Sequence, residues 1–328
     1  VEGFWFNLTQ INLVFQQMGE WLFFPMRIFS FLGDEMFYLF IMPAIFWCYD
    51  SQFGLQIGML LMLSNGFSTT FKFLFHSPRP FWVSNDVKAL VKETSFGIPS
   101  GHSLNAMALW GYFTSASKNK WIRVIFISII FFIGLSRLYL GVHFITDVLS
   151  GWIIGLLILL IYIYTYKKLS IKISSYNAFK KWILIILSTA LIVFLPIIIR
   201  QINHSWQMNQ VYLENINLAF PDEKFDPYSI DGAITAGGAW FGLLVGVLIT
   251  YKTIPLGRIK ANSKQLIMRF VIGLIGVVIF YGGLKAIFPE NIKIISEVLR
   301  FIRYGLVGLW ITGGAPFFFK KFGLYQKL

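Results

Sequence analysis

Apolar residues run along this chain in long blocks, and most polar positions fall between the blocks. Nine blocks predict helices that cross a membrane: Met36–Tyr49, Phe53–Lys72, His102–Ala116, Trp121–Tyr139, His143–Tyr164, Trp182–Ile199, Ala233–Tyr251, Gln265–Phe288 and Ile295–Phe317. Several approach or exceed the roughly 20 residues needed to span the hydrocarbon layer. The first is the shortest, and its apolar character reaches back to Phe31. Ahead of it, Phe4–Ser30 mixes aromatic and amphipathic character and contains Pro25. This predicts an interfacial helix within 1–32, broken at Pro25, rather than a full span. The expected fold class is all-α, a polytopic membrane bundle of about nine helices.

Composition supports that picture. Hydrophobic residues make up 56% of the 328 and charged residues only 13%, against about 25% charged in soluble domains. No cleavable signal peptide is visible near Val1. The net charge of +13 does not point to nucleic acid, because the basic residues sit in short loops rather than on one face. Lys118, Lys120, Lys167, Lys168, Lys172, Lys180, Lys181, Lys252, Arg258, Lys260, Lys264, Lys320, Lys321 and Lys327 all fall on one side of a nine-span chain. The positive-inside rule makes that side cytoplasmic. The loop Gln201–Gly232 falls on the other side, with Glu214, Asp222, Glu223, Asp226 and Asp231 against Lys224 alone. The N-terminus is then expected outside and the C-terminus inside. Cys48, the single cysteine, excludes an internal disulfide and suits a small buried apolar role. Gly238, Gly242 and Gly246, at four-residue spacing, suit close helix packing within the monomer, with a homodimer interface as the alternative. There is no internal repeat, low-complexity tract or soluble domain.

Charge inside a membrane is expensive and usually functional, so three polar stretches stand out. They are Lys72-x6-Arg79-Pro80, Pro99-Ser100-Gly101-His102 and Ser136-Arg137-x5-His143-x3-Asp147. His143 and Asp147 share a helix face, so the carboxylate can fix the tautomer and raise the nucleophilicity of the ring. Arg137 offers a planar fork for two phosphate oxygens. A helix starting near Gly101 would present backbone N–H groups to an anion, with Ser100 adding a hydroxyl and His102 in reach as general acid. Lys72 and Arg79 supply further positive charge for a phosphoryl group in its transition state. Each feature alone has an ordinary structural use, such as a buried histidine, a snorkelling arginine or a helix-capping lysine. Together, on the non-cytoplasmic side, they suggest a phosphate ester held by cations and attacked by a histidine. His76, inside the first spacer, is expected at the rim, and His204 has no assigned role. No Cys, His and carboxylate set has a metal-binding spacing, and no cofactor is expected.

The three motifs, in order and with spacing intact, resemble those of the type 2 phosphatidic acid phosphatase superfamily, which includes the vanadium haloperoxidases. Phe37-Tyr38, Phe46-Trp47-Cys48-Tyr49-Asp50 and Arg303-Tyr304-Gly305-Leu306-Val307-Gly308-Leu309-Trp310-Ile311-Thr312 are similar to segments of sphingosine-1-phosphate phosphatases. The nine-span plan and Pro80-Phe81-Trp82 are similar to glucose-6-phosphatase. The resemblance implies a catalytic core over 33–200 built from six spans, an extracytoplasmic loop at 201–232 and a three-helix extension at 233–328. It also implies metal-independent catalysis in two steps. His143, supported by Asp147, would become phosphohistidine; His102 would protonate the leaving alkoxide and then activate water. Lys72, Arg79, Ser100, Gly101 and Arg137 would bind the phosphoryl oxygens. Gly101 departs from the Pro-Ser-Thr-His of sphingosine phosphate phosphatases and matches the broader lipid phosphatases.

The expectation is a lipid phosphomonoesterase of the bilayer, with its site open to the periplasm, exterior or lumen. An Ile-, Phe- and Lys-rich composition suggests an AT-rich genome, and a bacterial cell membrane is the expected location. Alternatives within enzymes are a sugar phosphate or isoprenoid diphosphate phosphatase and a phosphotransferase. Nine spans and a lipid-facing site suit haloperoxidase chemistry poorly. A lipid or anion transporter is the alternative of another class. The His102, His143 and Asp147 set speaks against it, and against an inactive binding module, because binding alone needs no paired nucleophile and acid.

Overall fold

A computed structural model describes residues 2–203, 205–221, 225–254, 256–289 and 292–325. His204, Asp222, Glu223, Lys224 and Lys327 lie outside the described residues. Helices dominate throughout: α1 Glu2–Gln17, α2 Phe23–Phe31, α3 Glu35–Cys48, α4 Ser51–Phe75, the single turn α5 Pro80–Val83, α6 Gly101–Ala116, α7 Lys120–Tyr139, α8 Ile145–Ser174 and α9 Ala178–Ile202. They continue with α10 Gln210–Ala219, α11 Asp231–Thr250, α12 Ser263–Val278, α13 Leu284–Ile287, α14 Lys293–Leu309 and α15 Ala315–Lys321. Among the described residues there is no strand, and the fold is all-α.

Each of the nine apolar blocks corresponds to a helix, but not each is a membrane span by length and apolarity. Five helical segments pass: Lys120–Tyr139, Ile145–Ser174, Ala178–Ile202, Asp231–Thr250 and Ser263–Ile287. A sixth is the pair Glu20–Phe31 and Glu35–Cys48, bent by 47°, if that pair crosses as one. The nine-span count is thus not reproduced, for identifiable reasons. At 16 residues α6 is short, and α14 is a 17-residue helix running into a π turn. Helix α4 has the length, at 25 residues, but carries Gln52, Gln56, Ser64, Asn65, Ser68, Thr69, Thr70 and Lys72. The N-terminal region also differs from expectation. Its break lies at Met18-Gly19, where Gly19 takes φ +110°, while Pro25 sits in the first turn of α2. A proline there forfeits no helical hydrogen bond.

The chain divides into two compact units. The first comprises Val1–Phe37, Phe67–Tyr164 and Pro196–Ser229 and holds every site residue named above. Its apolar centre lies between α6 and α7, where Ala106, Trp110, Ile130 and Ile133 are buried and Trp152 of α8 packs on them. Helix α8 approaches α6 closely because Gly151 and Gly155 face it. A Cβ at Gly151 would lie 2.8 Å from the Ser100 carbonyl oxygen, and one at Gly155 2.5 Å from that of Leu104. Helix α1 is tied into this unit through two side chains. Asn12, fully buried, donates to the carbonyls of Leu138 (2.9 Å) and His143 (3.0 Å). Gln16 donates to Lys88 (2.7 Å) and Tyr139 (3.0 Å).

The second unit comprises Tyr38–Gly66, Thr165–Leu195 and Ile230–Leu328. Its tightest contact joins α11 to α14 and the π turn Trp310–Gly314. The glycine stripe of α11 serves this packing within the chain. A Cβ on Gly238 would meet the Phe301 carbonyl at 2.5 Å, and Cβ atoms on Gly242 and Gly246 would clash with the Gly305 carbonyl and the Thr312 hydroxyl. Thr312 donates to the Leu243 carbonyl (2.8 Å). Asn262 caps α12 reciprocally with Gln265, and half-buried Cys48 is 3.6 Å from the Leu266 carbonyl.

Candidate active site

The ends of four helices and one irregular loop, all in the first unit, supply the site. Ser100 caps α6 in an extended conformation, its hydroxyl accepting from the Ser103 amide and from the Ser103 hydroxyl (3.0 Å). That places Gly101 and His102 in the first turn, where helix amides favour an anion. A Cβ at Gly101 would meet nothing closer than the Ser68 hydroxyl at 3.5 Å, so the backbone there is open to approach. Asp147, in the first turn of α8, accepts the Phe144 amide at 2.9 Å, and its own carbonyl accepts the Ser100 amide at 3.0 Å. The second and third motifs are thereby locked together through the backbone.

His143 Nδ1 lies 3.1 Å from Asp147 Oδ2, and His143 Nε2 lies 3.1 Å from Arg79 Nη1. A guanidinium only donates, so Nε2 carries the lone pair and Nδ1–H points at the carboxylate. The ring thus sits in the tautomer that presents a nucleophilic Nε2. Both His143 (1% exposed) and Asp147 (0%) are shut away from bulk water.

Arg79 is anchored by carbonyls. Its Nε donates to Ser95 (2.5 Å), Nη1 to Val142 (2.7 Å) and Nη2 to Phe96 (3.2 Å). Lys72 donates to the Ser95 hydroxyl at 2.6 Å, which Arg79 Nη2 also reaches at 3.1 Å. Arg137, at the end of α7, donates through Nη1 to the Ser30 hydroxyl (2.6 Å). Lys72, Arg79, Ser100, Gly101, His102, Arg137, His143 and Asp147 therefore converge in one cluster.

Sequence reasoning missed Glu93. Its Oε1 lies 2.5 Å from Arg137 Nη2 and 4.0 Å from His102 Nδ1, and its Oε2 lies 3.4 Å from Arg79 Nη2. Burial alone would raise this carboxyl, but Arg79, Arg137, His102 and Lys72 outweigh it and hold the group down at about 2. Glu93 is thus ionised at any ordinary pH. The one available signal was charge balance: three converging cations faced a single assigned carboxylate, which is unfavourable in a buried site. Asn12, Ser30 and Ser95, which hold the machinery in place, had no signal in the sequence. His76 also departs from expectation. It is buried against Phe96, Trp206 and Tyr228, with ring centroids 4.8, 5.1 and 5.6 Å away, rather than at an open rim.

Residues 53–171 match the PAP2 superfamily, and residues 234–327 match the PAP2 superfamily phosphatase, transmembrane extension. Phosphatidylglycerophosphatase B of Bacillus subtilis (strain 168) is 45% identical over 85 residues, 23% of this chain and 42% of that protein. A probable sphingosine-1-phosphate phosphatase of Dictyostelium discoideum is 28% identical over 155 residues, 42% of this chain and 37% of its own. Glucose-6-phosphatase 3 of Bos taurus is 30% identical over 151 residues, 38% of this chain and 43% of its own. The chain thus spans about two fifths of the length of these curated relatives. A crystal structure of a transmembrane PAP2 type phosphatidylglycerolphosphate phosphatase from Bacillus subtilis is 29% identical, with a TM-score of 0.44, covering 49% of this chain and 85% of that one. The chain is an integral membrane protein that carries a PAP2 superfamily domain followed by the transmembrane extension of PAP2 superfamily phosphatases.

Proposed function

We propose that the protein is a membrane-embedded phosphatase that hydrolyses a lipid phosphomonoester on the non-cytoplasmic side through a phosphohistidine at His143. The observation that carries this reading is the buried chain Asp147–His143–Arg79, in which a carboxylate fixes the ring and a guanidinium marks where the phosphoryl group would sit. In the first step His143 Nε2 bonds to phosphorus as the P–O bond to the alcohol breaks, and His102 gives its proton to the departing oxygen. Asp147 stabilises the charge that develops on the His143 ring. In the second step His102 takes a proton from water, the water oxygen bonds to phosphorus, the N–P bond breaks and inorganic phosphate leaves. Lys72, Arg79, Arg137 and the start of α6 would neutralise the equatorial oxygens throughout.

The relatives are all named as phosphatases, but for different phosphates: phosphatidylglycerophosphate, sphingosine-1-phosphate and glucose-6-phosphate. A lipid substrate is favoured here by a site set among membrane helices. The non-cytoplasmic side is favoured by the lysines that, on a nine-span reading of the sequence, alternate with the motifs. The test is phosphate release by purified wild type and His143→Ala, with EDTA present, from phosphatidic acid, phosphatidylglycerophosphate, sphingosine-1-phosphate, undecaprenyl diphosphate and glucose-6-phosphate. Release from a lipid monophosphate that survives EDTA and vanishes in His143→Ala is expected. A preference for glucose-6-phosphate or the diphosphate would overturn the substrate class, and loss of activity with EDTA would overturn the metal-independent mechanism.

A further inference from the structure

Glu93 stands where an anionic substrate should bind. Its two carboxylate oxygens face one nitrogen each of Arg137 and Arg79, at 2.5 and 3.4 Å. These are the guanidinium groups that the proposed reaction assigns to the phosphoryl oxygens. Carboxylate and phosphoryl groups engage guanidinium donors in the same planar, charge-assisted way, so the two compete for the same nitrogens. We propose that Glu93 is an internal competitor for the phosphoryl site: it occupies the Arg79 and Arg137 donors in the empty enzyme, yields them to the incoming phosphoryl group, and recaptures them as inorganic phosphate departs.

The alternative role, an anchor that holds the arginines in place, is poorly matched by the geometry. Arg79 already donates to three backbone carbonyls, of Ser95, Val142 and Phe96, and Arg137 donates to the Ser30 hydroxyl. Both guanidinium groups keep these partners when Glu93 swings away. Glu93 is also the more accessible member of the set, its side chain 21% exposed against 0% for Arg79 and 2% for Arg137. It lies on the irregular segment between α5 and α6, outside any helix. A site whose several buried cations faced Asp147 alone would hold a phosphate dianion tightly and release it slowly. Glu93 lowers that affinity at both ends of the cycle.

This inference rests on the phosphatase reading, and its test separates the two. Inorganic phosphate affinity would be measured by calorimetry and by product inhibition for wild type, Glu93→Gln and Glu93→Asp, with kcat and KM for the preferred lipid phosphate. Glu93→Gln should bind phosphate about tenfold tighter, equivalent to about 1.4 kcal/mol. Its kcat and KM should fall together as product release becomes limiting. Glu93→Asp, whose shorter arm cannot span both arginines, should bind phosphate with an affinity between the two. Phosphate affinity equal to or weaker than wild type in both substituted proteins would overturn the proposal, as would a KM that rises with them, the signature of an anchor. If Glu93→Gln does not fold, an equal or weaker affinity in Glu93→Asp overturns it alone. A folded wild type that neither binds phosphate nor releases it from any substrate would remove the phosphatase reading, and this inference with it.

Discussion

At the scale of single residues, the site is a problem in charge. Arg79 is completely buried yet satisfied, because the Ser95 and Phe96 carbonyls of the loop after α5 and the Val142 carbonyl between α7 and α8 surround it. A lysine could not replace it, since one ammonium cannot meet separated acceptors and His143 in a single plane. Glu93 closes the circuit with Arg137, and its depressed titration gives a stability prediction with a definite sign. The folded-state carboxyl titrates at about 2 against an ordinary value of 4.5. A depressed carboxyl contributes stability fully above the unfolded-state value, and that contribution is lost as pH falls through the folded-state value. The melting-temperature gap between wild type and Glu93→Gln should therefore be constant from pH 8 to about 5 and close as pH falls from 4.5 toward 2. A gap that grows on acidification would contradict the ionised pairing.

At the scale of elements, small residues decide which helices come together. Gly151 and Gly155 bring α8 against α6, and so bring Asp147 to the Ser100 amide. In the second unit the α11 stripe does the same for α14. Gly242→Ala would drive a methyl into the Gly305 carbonyl and within 2.7 Å of the Leu309 amide, both backbone atoms that cannot rotate away. Overpacking of this kind costs about 1–3 kcal/mol. Gly242→Ala should accordingly lower the melting temperature in detergent by several degrees, whereas Gly282→Ala, with nothing within 4 Å of its Cβ, should not. Equal melting of the two would show that α11 and α14 are not packed as described.

The helices were legible in the sequence because their apolar blocks are long and sharply bounded. Their membrane-crossing status was less so, since α4 and α6 give up apolar length to Lys72, Ser100 and His102 and their polar neighbours. Gly19 ended the first helix although Pro25 was the more conspicuous breaker, because a proline is harmless in a first turn. The site motifs could be singled out because charge is rare in this apolar chain and because His143 and Asp147 stand four residues apart, while Lys72, Arg79, Ser100 and His102 gained weight from that company and from the family resemblance. Glu93, Asn12 and Ser30 could not. Each reaches the cluster only through the tertiary fold, and in sequence each looks like an ordinary polar residue of a loop or helix.

At the scale of the whole molecule, a charge-poor chain buries Arg79, Arg137, His143 and Asp147 together within the stretch that matches the PAP2 superfamily. That grouping suits an enzyme that meets its phosphate at the membrane and excludes bulk water from His143 and Asp147. The proposed reaction turns on one bond, between His143 and phosphorus. Removing His102 should slow hydrolysis of the intermediate by about a hundredfold to ten-thousandfold. A substrate with a good leaving group, such as a nitrophenyl phosphate, needs no acid in the first step, so the intermediate accumulates. The most direct measurement is therefore to mix His102→Ala with a labelled substrate of that kind, quench within one turnover and locate the label by peptide mass spectrometry. An acid-labile phosphate on the peptide containing His143, absent when His143 is also replaced by alanine, is the expected result. Turnover with no label at His143, or label on any other residue, would contradict it.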